Sequence, residues 1–299
     1  MKYINFDGCE ISKLSLGTVQ FGLDYGISNK YGKPTQETVN EIVEYVASQG
    51  INCFDTAQAY GTSEEVLGKA LSNIEDSFII SKMTSDVFQK KSIQSTLSTL
   101  KNLAIEQLYG LLLHDSQLLY SWNSEYTDKV DELLNSKKIQ YFGVSIYSSE
   151  DFHLALENDS IKIIQIPFNL FDKRAYTEKW FEKAKEKNKL IFIRSIYLQG
   201  LLLMNEENVP NNLNEAKKYL QILDYYTTKL NLTRNELALS YVETIADDAL
   251  LLFGCDTLEQ AKENIENYNS LKILQKNVFV EISEKLADVD EHIYNPTKW

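Results

Sequence analysis

The stretch Ile51–Gly68, INCFDTAQAYGTSEEVLG, decides the fold that this sequence predicts. Its first residues, Ile51–Phe54, are apolar apart from Asn52, and a short apolar run of this kind is typical of a buried strand. The chain becomes polar at Asp55, and Tyr60 follows within the same loop. The pattern therefore predicts a strand that ends in a carboxylate and continues into a loop carrying a phenol.

A helix is predicted directly after this loop, at Thr62–Glu65. Thr62 can accept hydrogen bonds from the first helical amides, and Glu65, three positions later, can reach back to the start of the helix. Strand, loop and capped helix together form a βα unit. Parallel α/β sheets and barrels place their active sites at the carboxyl ends of such strands.

The alternation of strand and helix continues along the chain. Further strands are predicted at Leu14–Phe21, Phe78–Ile80, Leu108–Leu113, Gln140–Ile146, Ile161–Phe168, Leu190–Ser195 and Ala249–Phe253, and helices near 39–47, 91–104, 124–137, 175–188, 213–229 and 274–288. Three more helices are predicted from cap pairs, at Ser148 with Asp151, Thr233 with Glu236, and Asp256 with Glu259.

Counted from Leu14, eight strands alternate with eight helices. This order requires parallel strands with right-handed crossovers, and it predicts an α/β protein with a closed (β/α)8 TIM barrel. A hairpin over residues 2–14 precedes the barrel, and an extra C-terminal helix follows it. We expect a single domain over residues 1–299.

The composition excludes several classes of protein. The chain has 43 acidic and 30 basic residues, and its net charge of −13 disfavours binding to nucleic acid and to anionic membranes. The sequence has no apolar run of about 18 residues for a membrane span and no charged-then-apolar start typical of a signal peptide. Cys9, Cys53 and Cys255 lack metal-site spacing, so we expect no metal and a cytoplasmic location.

Four polar residues are candidates for catalysis because they follow consecutive predicted strands. Asp55, Lys82 and His114 end the second, third and fourth strands, and Tyr60 lies in the loop after the second, so in a barrel they converge at one mouth. A free tyrosine has a pKa near 10, and a lysine ammonium beside it makes its proton easier to give. Asp55 would keep Lys82 charged, and a neutral His114 would orient a substrate carbonyl. The set predicts an acid-catalysed carbonyl reduction.

Each of these residues also has a structural alternative. A buried tyrosine usually serves packing, and Asp55 with Lys82 could form a structural ion pair. Since no side chain supplies a hydride, the catalytic interpretation requires a nicotinamide cofactor.

The same stretch resembles the signature of the aldo-keto reductase superfamily, D-x-A-x-x-Y-G-x-S-E-x-x-L-G. It matches at eight of the fourteen positions, which are Asp55, Ala57, Tyr60, Gly61, Ser63, Glu64, Leu67 and Gly68. The resemblance covers nearly the whole chain. It implies the barrel fold, NADP(H) or NAD(H) as the cofactor, and Asp55, Tyr60, Lys82 and His114 as the catalytic tetrad.

Further motifs resemble the cofactor-binding elements of this family. Leu16–Thr18 resembles the first-strand element, and Ser145 and Gln165 match the two contacts to the carboxamide. Arg194–Ser195, followed by Leu198–Leu201, resembles the loop that cradles the pyrophosphate. The resemblance thus implies a cofactor-binding set of Gly17, Thr18, Ser145, Gln165, Arg194, Ser195, Leu198, Gly200, Gly254, Thr257, Gln260 and Asn264.

Two positions depart from the family pattern. Ile146 stands where the family has Asn, so one amide contact is lost or supplied by another group. Arg194 stands where an aromatic residue stacks on the nicotinamide. Its planar guanidinium can also stack, and the alternative is a salt bridge under the barrel rim.

The segment Gly254–Asn264 resembles the adenosine-binding end of the last strand and helix. Gly254 and Gln260 occupy positions where the family usually has cations for the 2′-phosphate. Asp256 adds a negative charge nearby, but we assign it to a helix cap. Thr257 or Lys262 remains to contact the phosphate. We therefore expect a weak preference, with NADH and NADPH affinities within about tenfold, or ~1.4 kcal/mol.

The resemblance implies an NAD(P)H-dependent reductase of a small-molecule aldehyde or ketone, with Tyr60 as general acid. The loop Leu23–Lys33, with Tyr25 and Tyr31, is expected to line the substrate mouth or to be plain surface. The GTVQFG…YGI opening resembles that of reductases near sugar-modifying pathways, which points to a sugar-derived carbonyl. Two rivals on the same fold are a cofactor-binding regulatory subunit and an epimerase that retains its cofactor. The oligomeric state stays open.

Overall fold

The structure, a computed structural model, describes residues 1–29 and 31–299. In this part of the chain, eight parallel strands close into a barrel in which each strand pairs with the next along the chain and the last pairs with the first. Neighbouring strands pair in parallel around the whole circuit. The predicted (β/α)8 barrel is confirmed.

The elements have the following bounds. The hairpin strands are β1 (Tyr3–Phe6) and β2 (Cys9–Ser12), and the barrel strands are β3 (Leu14–Gly17), β4 (Cys53–Asp55), β5 (Phe78–Met83), β6 (Leu108–Leu113), β7 (Ile139–Ser145), β8 (Ile163–Pro167), β9 (Leu190–Arg194) and β10 (Ala249–Phe253). The helices are α1 (Val19–Gly22), α2 (Gln36–Ser48), α3 (Ser63–Ala70), α4 (Ser85–Leu103), α5 (Ser124–Asn135), α6 (Ser149–Glu157), α7 (Arg174–Thr177), α8 (Trp180–Glu186), α9 (Ala216–Leu230), α10 (Arg234–Glu243), α11 (Leu258–Asn269), α12 (Lys276–Lys285) and α13 (Glu291–Tyr294).

The N-terminal hairpin closes the amino end of the barrel. β1 and β2 pair antiparallel, with Phe6 opposite Cys9. Phe6 and Ile11 pack into the cluster of side chains that fills the barrel interior, which includes Ile80 and Phe192. The opposite, carboxyl end of the barrel is left open for a site. Along residues 1–29 and 31–299, no helix combines the length and the apolar character needed to cross a membrane.

Several predicted boundaries were wrong for local reasons. The strand predicted at Leu14–Phe21 ends at Gly17, because Thr18 turns to donate its backbone N–H to the carbonyl of Asp55 and the chain then enters α1. The helix predicted at 91–104 begins at Ser85, where Thr84 caps it, and it is kinked at Lys91. The helix predicted at 175–188 is divided into α7 and α8, since Lys179 adopts a left-handed conformation between them.

Two of the predicted cap pairs are confirmed, and two are wrong. Ser148 with Asp151 and Thr233 with Glu236 form reciprocal capping boxes. Thr62 precedes α3 without a side-chain cap hydrogen bond; its hydroxyl instead accepts one from Lys33.

The cap of α11 is shifted by one residue from its predicted position. The hydroxyl of Thr257 accepts the backbone N–H of Gln260, so Thr257 is the cap of this helix. The carboxylate of Asp256 is therefore not used by the helix. The backbone N–H of Asp256 donates to Gln260 Oε1 at 2.7 Å.

We predict that Gly68→Ala destabilises the fold. A Cβ at Gly68 would lie 2.6 Å from the carbonyl oxygen of Asn102 and 2.7 Å from Cα of Leu103, where α3 crosses α4. Overpacking should lower the free energy of unfolding by about 1–3 kcal/mol, although alanine favours a helix by about 1 kcal/mol over glycine. Chemical denaturation measures this change. The exposed neighbour Lys69→Ala is the control, and a Gly68→Ala protein as stable as wild type would contradict the proposed close approach.

Candidate active site

A buried ion pair lies at the carboxyl ends of two neighbouring strands. Lys82 in β5 places Nζ 2.6 Å from Oδ1 of Asp55, the last residue of β4, and donates a second hydrogen bond to the carbonyl of Thr56 at 2.9 Å. The Lys82 side chain is fully buried and that of Asp55 is 5% exposed. Gln165, in β8, donates Nε2 to the second carboxylate oxygen of Asp55 at 2.9 Å. Asp55 therefore links three strands at the barrel mouth.

Tyr60 and His114 lie next to this pair. Their rings meet edge to face with centroids 5.4 Å apart, and Lys82 Nζ lies 5.0 Å from the centroid of the Tyr60 ring. The backbone of Tyr60 is held by the close approach of α1, where a Cβ on Gly22 would lie 1.6 Å from the Tyr60 carbonyl oxygen. The four residues proposed for catalysis from the sequence are thus brought together.

The charges around Tyr60 keep its phenol protonated. Burial raises the pKa of Tyr60, Asp55 raises it further, and Arg194 opposes them. Contrary to the expectation from the sequence, the pKa of Tyr60 is raised overall, because burial and the negative charge of Asp55 favour the protonated phenol. Burial lowers the pKa of Lys82 while Asp55 acts in the opposite direction. Burial, followed by the positive charges of Lys82 and Arg194, lowers the pKa of His114 to about 4.

A cavity of about 510 Å³ begins at these residues and extends across the barrel mouth to the start of α11. Ten residues of the predicted cofactor-binding set line it: Gly17, Thr18, Ser145, Gln165, Arg194, Ser195, Gly200, Gly254, Gln260 and Asn264. Two members of that set do not. Leu198 is fully buried in the hydrophobic core, and Thr257 caps α11.

Arg194 lies over an aromatic ring. Its Cζ is 4.0 Å from the centroid of Tyr147, and its Nη2 donates to the carbonyl of Ile146 at 2.8 Å, while Nη1 is 3.3 Å from Ser195 Oγ. None of these partners among the described residues is a carboxylate, so the salt bridge considered from the sequence is absent there. The side chain of Ile146 is fully buried, and it contributes only its carbonyl to this arrangement.

The sequence analysis missed several cavity residues, among them Tyr147, Gln20 and Tyr197. Tyr147 supplies the ring under Arg194, and Gln20 packs its side-chain amide against Gly254, where an added Cβ would lie 2.6 Å away. The hydroxyl of Tyr197 lies 2.7 Å from Asn264 Oδ1 and 2.8 Å from Asn235 Oδ1. The sequence did contain a signal for Gln20, because this residue is polar and lies just after the first barrel strand.

The loop predicted to line the substrate mouth does so in part. Tyr25, Gly26 and Ser28 line the cavity, and Ser28 contacts the turn at Gly200 across the opening. Tyr31 is 73% exposed, and Lys30 lies outside the described residues.

Comparison with known proteins gives a consistent assignment. The chain matches the family described as the aldo/keto reductase family over residues 13–287. An uncharacterized oxidoreductase of Bacillus subtilis, YqkF, is 24% identical over 90% of this chain and 91% of its own length.

Two solved structures share the fold. Aldo-keto reductase AKR11C1 from Bacillus halodurans, in its holo form, matches with a TM-score of 0.78 at 21% identity, over 100% of this chain and 99% of that one. An aldo-keto reductase from Klebsiella pneumoniae in complex with NADPH matches with a TM-score of 0.70 at 17% identity, over 95% of each chain.

We predict that His114 stays neutral throughout the neutral pH range. Its pKa of about 4 lies below the unfolded value near 6.5, because burial and two cations oppose a charge on the ring. The imidazole NMR signals of His114 should therefore not titrate between about pH 5.5 and 8.5. His114→Gln assigns the signals by their loss. A midpoint above pH ~6 would show that a negative charge reaches this ring, contrary to the geometry described.

Proposed function

The chain belongs to the aldo/keto reductase family of NAD(P)H-dependent oxidoreductases, and we propose that it reduces an aldehyde or ketone with Tyr60 as general acid. One observation carries the proposal: the Tyr60 ring lies 5.0 Å from the ammonium of a fully buried lysine, at the mouth of a large cavity. If Asp55 and Lys82 served only as a structural ion pair, no phenol would be needed beside them at the edge of a cavity.

Tyr60 is suited to give a proton at a defined moment. Its raised pKa keeps the phenol protonated before reaction, as a proton donor requires. When the substrate oxygen gains negative charge it becomes a stronger base than phenolate, and the proton moves from Tyr60 to that oxygen. Lys82, paired with Asp55, then lies close to the developing phenolate and stabilises it in a site of low polarity.

His114 orients the carbonyl. With its pKa lowered to about 4, the ring is a neutral imidazole that can donate one N–H to a substrate oxygen without carrying a charge. Its edge-to-face contact with the ring of Tyr60 fixes the two groups relative to each other. A carbonyl oxygen held between them would meet both a hydrogen-bond donor and the acid.

The cavity residues fit a nicotinamide cofactor. Gln165 gives Nε2 to Asp55 and keeps Oε1 for a carboxamide, beside Ser145. At the turn after β9, Ser195 and Gln199 have φ of 62° and 54°, conformations that cost energy in residues other than glycine and that cluster at functional sites. The start of α11 can accept negative charge. Bound there, the cofactor supplies the hydride that no side chain can supply.

We propose a hydroxylated, sugar-derived carbonyl compound as the substrate. The cavity near Tyr60 is lined by the polar side chains of Tyr25, His114 and Tyr147. A hydrocarbon substrate would leave these groups without partners, and unpaired polar groups that lose water cost about 1–3 kcal/mol each. A polyhydroxylated substrate can replace the water they lose.

Purified protein should oxidise NADH or NADPH in the presence of a carbonyl compound. Absorbance of the reduced cofactor measures turnover across a panel of aldoses, ketoses, hydroxyaldehydes and unsubstituted aliphatic aldehydes. Higher kcat/KM for hydroxylated members supports the sugar-derived substrate. Cofactor binding without turnover on any carbonyl would favour a regulatory subunit, and substrate isomerisation without net cofactor oxidation would favour an epimerase.

Tyr60→Phe should remove most of this turnover. The change deletes one hydroxyl, so the fold and cofactor affinity should persist, while kcat falls by ~10²–10⁴, the usual contribution of a general acid. Tyr225→Phe, at a 59% exposed position on α9, is the matched control and should keep wild-type kcat. If Tyr60→Phe retains more than about a third of wild-type kcat, the loss is far smaller than a general acid accounts for, and another group donates the proton.

A further inference from the structure

Asp256 carries a buried carboxylate oxygen that the fold does not use. Asp256 is 9% exposed, and it lines the cavity between the end of β10 and the start of α11. Among the described residues its Oδ1 has no hydrogen-bond partner. The helix that it was expected to cap is capped by Thr257. A buried carboxylate oxygen without a partner is costly, so this group is available for a ligand with a donor.

The surroundings of Asp256 are acidic. Asp24 lies close enough to act on the pKa of Asp256: burial raises this pKa, a hydrogen bond from the Gln260 side chain lowers it, and the Asp24 charge raises it. Glu263 lines the same end of the cavity. Among the described lining residues Arg194 is the sole lysine or arginine, and it lies beside Tyr147 at the catalytic end.

The two side chains left by the sequence analysis as contacts for a 2′-phosphate do not line the cavity. Lys262 places Nζ 5.7 Å from the centroid of the Tyr45 ring, on the side of α11 that faces α2. The hydroxyl of Thr257 is engaged as the cap of the helix. The positive end of α11 therefore remains the main attraction for a phosphate, and Asp256, the residue immediately before the cap, lines the cavity there.

The direction in which the cofactor lies in the cavity follows from the proposed function, on which this inference rests. The hydride must be given next to Tyr60, so the nicotinamide half occupies the catalytic end, and the adenylate half extends to the end lined by Gly254 and Asp256. NADH and NADPH differ only in the phosphate on the ribose of that half. We propose that Asp256 makes this enzyme select NADH, by accepting a hydrogen bond from the ribose 2′-hydroxyl and repelling a 2′-phosphate.

General chemistry supports this direction of selection. Acidic side chains bind the ribose hydroxyl of NAD in other dinucleotide folds, whereas a nearby arginine accommodates the phosphate of NADP. A carboxylate also repels a phosphate dianion strongly where water is excluded. The expected preference for NADH is about tenfold to a hundredfold, larger than the weak preference that the sequence indicated when Asp256 was read as a cap.

Dissociation constants for NADH and NADPH, measured by calorimetry or by quenching of protein fluorescence, test the proposal without turnover. The wild type should bind NADH at least about tenfold more tightly, a difference of ~1.4 kcal/mol. Asp256→Asn keeps the shape and an acceptor but removes the charge, so it should bring the two constants within about threefold, chiefly by tightening NADPH. Glu259→Gln, an exposed acid in the first turn of the same helix, is the control and should keep the wild-type ratio.

The possible outcomes separate this proposal from the one on which it rests. A wild type that binds both cofactors equally, or NADPH more tightly, overturns the role of Asp256 and leaves carbonyl reduction standing. The same holds if Asp256→Asn keeps a wild-type ratio. Failure of the wild type to bind either cofactor overturns both proposals. Thermal denaturation checks the variant, and since the carboxylate oxygen is unpartnered among the described residues, Asp256→Asn should unfold at or above the wild-type temperature.

Discussion

A lysine with no exposed surface determines the arrangement of the barrel mouth. Lys82 can remain charged only because Asp55 lies 2.6 Å away and the carbonyl of Thr56 accepts a second hydrogen bond. Loss of one partner from such a pair leaves an uncompensated buried charge, which typically costs 3–5 kcal/mol. Gln165 reaches Asp55 from the far side of the barrel, so β4, β5 and β8 are fixed relative to one another at the level where Tyr60 lies.

Much of the signature stretch supports this pair rather than taking part in chemistry. Ser63 donates its hydroxyl to the carbonyl of Thr18, and Thr18 in turn donates to the carbonyl of Asp55. The carboxylate of Glu64, 4% exposed, accepts hydrogen bonds from Ser81, Thr99 and Asn102. These contacts hold the start of α3 against β3, β5 and α4. The motif therefore combines two kinds of residue. Ser63 and Glu64 fix the backbone, while Asp55 and Tyr60 line the cavity.

The sequence predicted those features that depend on residues close together in the chain. Strand alternation gave the closed barrel, and the cap pairs at Ser148 and Thr233 formed as their spacing indicated. At the start of α11 two adjacent residues could each cap the helix, and spacing alone could not decide between Asp256 and Thr257. Tyr147 was missed because its importance comes from a partner 47 positions away in the chain, Arg194 on a different strand, at a ring distance of 4.0 Å that no local pattern encodes.

The replacement of an aromatic residue by Arg194 changes the electrostatics of the cavity as well as its shape. The planar surface is kept, because the guanidinium lies on the ring of Tyr147, but a positive charge is added that lowers the pKa of His114 and opposes the rise in the pKa of Tyr60. In the proposed reaction, negative charge that develops on a substrate oxygen between Tyr60 and His114 would therefore meet two cations, Lys82 and Arg194. The far end, with Asp256, is anionic. We infer that the cavity is polarised along its length, so that its catalytic end stabilises the oxyanion of reduction while its other end admits hydroxyls more readily than phosphate.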